Sequence, residues 1–308
     1  MRWATYVVNE THRVGLVDGT TIRAVPGISA LIGLLGDDGE RMQNAAERAR
    51  RDPLEVVEVA AVNLAAPIPV PPSMRDFMAF EEHVANTRSR TGSVVEAGWY
   101  QQPVFYFSNP AAIHPPVADI AISPGSSWFD YELEIAAVIG RGGNDLAPEV
   151  AESHIAGYMV LADWSARDLQ RTEMVMRLGP VKGKDSATTI GPYLVTPDEL
   201  DGHRLGNGYD LAMTASVNGR ECSSGNWSSI YWSFGQMLAY ASRGTRLLPG
   251  DIIGSGTVGR GCLLELSILF GESQYPWLQP GDEVVLEVEL LGSVTGRITP
   301  GAAPIPLR

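Results

Sequence analysis

Hydrophobic and polar positions alternate most cleanly from Trp128 to Gly140, which reads W-F-D-Y-E-L-E-I-A-A-V-I-G. Tyr131, Leu133 and Ile135 alternate with Asp130, Glu132 and Glu134, the period-two pattern of a strand, so the acids share one face. Ala136 to Ile139 is apolar, and the strand is therefore expected to run into a core. Acids aimed together from such a strand repel one another and lose hydration. They need a counter-charge, and a divalent cation is the simplest one. A second reading stays open at this point: an edge strand whose acids face water.

The same patterning predicts elements along the rest of the chain. Residues 1–25 alternate around Asp18-Gly19 and read as short hairpin strands. Leu31, Leu34 and Leu35, then Met42, Ala45, Ala46 and Ala49, predict helical structure over 28–51 with a solvated arginine face. Residues 54–63 read as a strand. Pro67, Pro69, Pro71 and Pro72 exclude a helix and favour an extended linker. That linker separates a small N-terminal domain, 1–65, from a main domain, 66–308.

Beyond it, Phe77, Phe80 and Val84 predict a helix over Ser73 to Val84, with Asp76 and His83 two turns apart on one face. Residues 85–98 read as a loop or lid and 103–140 as β. Pro148 suits the first position of a helix over Glu149 to Gly157. Tyr158 to Ala162 reads as a buried strand ending at Asp163, and 164–178 as a charged amphipathic helix or loop. Strands flank Asn218-Gly219, and Ile230, Phe234, Met237, Leu238 and Ala241 mark a helix that Gly244 caps. Cys262 to Phe270 reads as an apolar strand carrying Glu265, and Glu283 to Leu290 as a final strand before a proline-rich tail. Gly254 and Gly256 do not read as a phosphate loop, because no helix is expected after them. The chain is α+β and β-rich.

Composition narrows the function classes. The 308 residues carry 23 Lys and Arg against 36 Asp and Glu, a net charge of −13 that disfavours nucleic acid and anionic membranes as partners. Two cysteines, Cys222 and Cys262, make no disulfide framework and no metal-ligand spacing. No apolar run approaches the ~18 residues of a membrane span, and no signal peptide is expected at the N-terminus. A soluble cytoplasmic protein is the expectation.

Asp76, Glu132, Glu134 and Asp163 would offer a cation oxygen only. Hard ligands without Cys or His favour Mg²⁺, with Ca²⁺ or Mn²⁺ as alternatives, over Zn²⁺. Such an ion suits a chelating 1,3-dicarbonyl or 2-oxo acid. His83 is then the natural general base, Glu265 a carboxylate able to orient it, and Lys184 a cation for a developing oxyanion. Purely structural roles for His83 and Lys184 stay open on this reading. Arg167 and Asp168 are expected to form a local ion pair, and Lys182 to be solvated.

From about residue 70 to 295 the chain resembles the fumarylacetoacetate hydrolase family. The resemblance rests on R-D-F-x₅-H at 75–83, F-D-Y-E-L-E at 129–134 and D-W-S-A-R-D-L-Q at 163–170, with G-P-V-K-G-K at 179–184 and P-G-D-I-I-G-S-G-T-V-G-R-G-C-L-L-E-L at 249–266. It implies a mixed β-sandwich roll with a small N-terminal α+β domain, usually a homodimer. It also implies a metal on Asp76, Glu132, Glu134 and Asp163, a His83–Glu265 dyad that activates water, and Lys184 and Gln170 at the oxyanion. Gly256 and Thr257 fall at the substrate carboxylate, and Tyr106 at a substrate-contacting tyrosine. The implied reaction is hydrolysis of a carbon–carbon bond in a 1,3-diketo acid. The alternative is decarboxylation or isomerisation of a 2-oxo acid at the same metal. Met174 replaces a substrate-facing tyrosine of the fumarylacetoacetate-cleaving members, and Arg88 or Arg90 is the candidate for their leaving-group arginine.

Overall fold

The computed structural model describes residues 1–89 and 92–308. Its largest element is a twelve-stranded sheet. Ten strands run in the order Val56–Glu58, Thr21–Ala24, Thr11–Asp18, Arg2–Val8, Thr188–Val195, Ile155–Asp163, Leu133–Ile139, Ile252–Gly254, Met74–Phe77, Phe105–Phe107. Asn63–Ala65 and Ile113–His114 pair with Arg2–Val8 and Thr188–Val195 respectively. Because Arg2–Val8 bonds directly to Thr188–Val195, the N-terminal hairpins extend the sheet that carries the acids.

Leu133–Ile139 lies deep inside this sheet, between Ile155–Asp163 and Ile252–Gly254, and all seven of its residues are buried. The reading of the acids as a solvated edge is thereby overturned. Both faces of the strand are covered. Leu133, Ile135, Ala137 and Ile139 pack with Met213, Ala215, Val284, Leu286 and Val294. These belong to a second, five-stranded sheet ordered Arg220–Asn226, Ala212–Val217, Glu283–Val288, Gly292–Thr299, Val117–Ala121. Ala136 and Val138 face the opposite core, with Met42, Ala45, Ala46 and Ala49 of the Glu40–Arg51 helix. Alternation places Glu132 and Glu134 on that second face.

Several expected elements differ. Ser73 to Val84 is not one helix: Met74–Phe77 is a strand, and the helix begins at Glu81 and runs to Ser89. Met74–Phe77 is wedged between two partner strands with all four residues buried, so its apolar spacing could not separate helix from strand. Cys262 to Phe270 is not a strand. Leu263–Phe270 is a helix, its apolar run being equally compatible with either state. A helix therefore does follow Gly254 and Gly256, but its first N–H groups, from Leu263 and Leu264, donate to the Asp130 carboxylate. No phosphate loop results.

The helix at Pro148 stops at Ala151, and the strand that contains Tyr158 already starts at Ile155. After Glu283–Val288 comes one further strand, Gly292–Thr299, paired on both sides within the smaller sheet.

Candidate active site

Four neighbouring strands converge the acids: Ile155–Asp163, Leu133–Ile139 and Met74–Phe77 carry them, and Ile252–Gly254 lies between the last two. Gly254 stands opposite Asp76 in the parallel pairing and opposite Ala136 in the antiparallel one. A Cβ at Gly254 would meet Asp76 Oδ1 at 2.4 Å and Glu134 Oε2 at 3.3 Å, so the missing side chain is what lets the two carboxylates close on each other. Asp163 ends the next strand, its backbone bonded to Glu132 in both directions. One ligand oxygen from each of Asp76, Glu134 and Asp163 lies within 4.8 Å of the others, and all three residues are at most 1 % exposed.

Crowding sets the protonation. Burial raises Asp76, Glu134 and Asp163, the last from 3.8 to about 7, although the Lys184 ammonium opposes the rise at Asp163. Glu132 goes the other way. Burial would raise it too, but Arg167 and Lys184 outweigh burial and hold it ionised, with His83 adding in the same sense. Arg167 Nη2 lies 2.8 Å from Glu132 Oε1 and 2.8 Å from Asp130 Oδ2. Lys184 bonds to Glu132 and, at 2.7 Å, to Asp163 Oδ2. The Tyr106 hydroxyl lies 2.9 Å from Asp76 Oδ2 and 2.5 Å from Asp163 Oδ2, so it sits among the acids with one proton to share between them.

The donor set fits a hard divalent cation. Among the described residues Glu134 Oε1 and Asp163 Oδ1 are buried without a hydrogen-bond partner, which is costly for a carboxylate unless something else satisfies it. Asp76, Glu134 and Asp163 would hold such an ion, with Glu132 beside them already shared between two cations of the chain. Gly256 donates its N–H to Asp76 Oδ1 at 3.2 Å and to Glu134 Oε2 at 3.1 Å, a contact made from left-handed backbone at φ 75°.

His83, in the first turn of Glu81–Ser89, places Nδ1 2.6 Å from Oε1 of Glu265, in the first turn of Leu263–Phe270. Asn86 donates to Glu265 Oε2 at 2.8 Å and the Arg260 N–H at 2.9 Å, with Cys262 Sγ 3.7 Å from Oε1. Burial would raise Glu265, yet His83 and these donors win and keep it below the usual carboxylate range.

Among the other expected site residues, Gln170 accepts from Arg167 at 3.2 Å, and Thr257 is buried beside Gly256. Met174 is 52 % exposed, at the far end of the Arg167–Val175 helix. Arg88 pairs with Glu96, and Arg90 lies outside the described residues. The local Arg167–Asp168 pair does not form. Arg167 turns inward to Asp130 and Glu132, while Asp168 accepts from the hydroxyl of Ser126 and the N–H of Ser127. Two buried acids short of a cation were the available signal for Arg167. For Asn86 the signal was its spacing of three from His83 on a helix. Lys182 is exposed and paired with Asp185.

The family model described as Fumarylacetoacetate (FAA) hydrolase C-terminal matches residues 73–299. A fumarylacetoacetase of Oryza sativa subsp. japonica is 31 % identical over 268 residues, 67 % of this chain and 62 % of that protein. The chain thus spans about three fifths of the length of that relative. A mitochondrial oxaloacetate tautomerase of Homo sapiens is 28 % identical over 265 residues, 85 % of this chain and 77 % of that protein. The solved structure of a fumarylacetoacetate hydrolase from Exiguobacterium antarcticum superposes with a TM-score of 0.72 at 23 % identity, covering 97 % and 99 % of the two chains, which establishes the shared fold.

Proposed function

The chain belongs to the fumarylacetoacetate hydrolase family of enzymes, and we propose that its own reaction is metal-dependent hydrolysis of a carbon–carbon bond in a 1,3-diketo acid. An acylpyruvate or a fumarylacetoacetate-like compound fits this reading. The observation that carries it is the buried His83–Glu265 pair, tied to the acid cluster through Cys262, which forms a β-bridge with Glu132 and lies beside Glu265.

Glu265 holds Nδ1 of His83, which leaves Nε2 as the ring atom that accepts a proton from water. The ionised Glu265 then stabilises the imidazolium. Hydroxide adds to the distal carbonyl, and the Lys184 ammonium and the Gln170 amide face the oxyanion that develops. Collapse breaks the carbon–carbon bond, releasing a carboxylic acid and an enolate that takes up a proton. Asp76, Glu134 and Asp163 would hold a divalent cation, which would supply Lewis-acid stabilisation of negative charge at the reacting end.

The tautomerase relative aligns with more of this chain than the rice fumarylacetoacetase does, and it supports a second reading. The same acids would promote an enolate of a 2-oxo acid, with His83 moving a proton and no water added. Turnover of acylpyruvates, fumarylacetoacetate and oxaloacetate, followed by mass spectrometry with Mg²⁺ and with a chelator, separates the two. Metal-dependent cleavage of a diketo acid into two fragments supports the hydrolase, and tautomerisation or carbon dioxide release alone supports the second reading.

A further inference from the structure

Lys184 reaches the acids from a loop, and the structure shows what holds that loop. Three successive backbone N–H groups before it, those of Val181, Lys182 and Gly183, all point at one carboxylate. Glu173 Oε2 accepts from Val181 at 2.8 Å and from Gly183 at 3.1 Å, and Oε1 accepts from Lys182 at 2.7 Å. Consecutive N–H groups in a turn form a concave anion site, and here a side chain of the neighbouring helix fills it.

Glu173 lies in the Arg167–Val175 helix, three residues beyond Gln170 and six beyond Arg167, so the three share one face. Arg167 grips Asp130 and Glu132, Gln170 accepts from Arg167, and Glu173 takes the loop. The two segments also touch through backbone. Ala166 donates to the Gly183 carbonyl at 2.8 Å, and a Cβ at Gly183 would lie 2.6 Å from the Gln170 nitrogen. The residue directly after these contacts is Lys184, 3 % exposed, with Nζ among Glu132 and Asp163.

We propose that Glu173 is a positioning residue: it latches the 181–183 loop to the helix and thereby sets where the Lys184 ammonium stands. The assignment rests on the role given to Lys184 above. Glu173 touches no reacting atom. It acts through Lys184, so its effect disappears once Lys184 is gone. A glutamine cannot replace it, because an amide offers one acceptor oxygen and would turn its NH₂ toward a donor.

The test has two arms. In the first, metal-free protein without substrate is treated with an amine-reactive acylating reagent, and modification of Lys184 is read against the exposed Lys182 by peptide mass spectrometry. In Glu173→Gln the Lys184 rate should rise about tenfold or more, as for a protected group exposed by local opening. A rate within about twofold of the wild type would overturn the proposal. In the second, kcat is measured for Glu173→Gln, Lys184→Met and the double variant. Glu173→Gln should lose on the order of 10- to 100-fold alone and nothing further beside Lys184→Met. Multiplying losses would show that Glu173 acts elsewhere, against the proposal. Should Glu173→Gln melt early, Glu173→Asp keeps the charge but is one methylene too short to span the three N–H groups, and the same two readouts apply. Labelling needs no turnover, so a diketo-acid panel that fails while Lys184 becomes exposed counts against the functional reading alone.

Discussion

Arg167 Nη2 lies 2.8 Å from Glu132 Oε1, and this contact separates Glu132 from the three acids whose protons are held more tightly. The same guanidinium serves Asp130, so one buried cation stands between two buried carboxylates. Arg167→Met leaves both acids without it. A loss of about 3–5 kcal/mol is expected, seen as a melting temperature lowered by roughly 5–15 °C. Arg167→Lys should recover little, since an ammonium cannot reproduce the planar fork that spans both partners. A melt unchanged in Arg167→Met would show that the pair contributes nothing.

The acids also predict how the metal-free protein responds to pH. Asp163 rises from 3.8 to about 7 on folding, mainly through burial, so the folded state holds its proton more tightly than the unfolded one. Its stabilising contribution is complete below pH 3.8 and is lost as pH climbs through about 7. Glu132 and Glu265, held low, act oppositely but only below their ordinary 4.5. Between roughly pH 5 and 7 the raised acids therefore decide the slope. Chelator-treated protein should melt at lower temperature as pH rises across this window, and added Mg²⁺ should stabilise it more at pH 8 than at pH 5. A flat profile with chelator, or equal Mg²⁺ effects at both pH values, would contradict the charge assignment.

Gly254 gives a direct handle on the cluster. The Cβ of Gly254→Ala would sit 2.4 Å from Asp76 Oδ1, so Asp76 must shift away from Glu134. The expected result is a divalent-metal affinity lowered roughly 10- to 100-fold, read by calorimetric titration of Mg²⁺ or Mn²⁺ into the folded variant. Wild-type affinity would mean that Asp76 and Glu134 do not share the ion.

The dyad separates from the metal in the same assay. His83→Ala and Glu265→Gln should each lower kcat by about 10²–10⁴-fold while the divalent ion still binds. Full turnover in His83→Ala would rule out His83 as the base, and full turnover in Glu265→Gln would rule out the dyad.

What could be read from the chain follows from which residues have distinctive surroundings. Tyr131, Leu133 and Ile135 face one core while Glu132 and Glu134 face the other way, so alternation exposed that strand and its acids directly. Met42, Ala45, Ala46 and Ala49 have water on the opposite face of their helix and were equally legible. Met74–Phe77 and Leu263–Phe270 were not. The former is buried on every side, and the latter is apolar at nearly every position, so periodicity carried no information. Arg167 finds Asp130 across 37 residues and His83 finds Glu265 across 182. Local pattern is silent at such separations. The second pairing came from the family resemblance, and the first emerged only once the strands were assembled.

The most direct test of the account follows oxygen. The protein is given an acylpyruvate in ¹⁸O-labelled water with Mg²⁺, and the products are weighed. Water activated by His83 predicts one ¹⁸O in the released carboxylic acid and none there when the metal is chelated. Metal-dependent turnover whose products carry no oxygen from water would contradict hydrolysis and leave the enolate chemistry of the second reading.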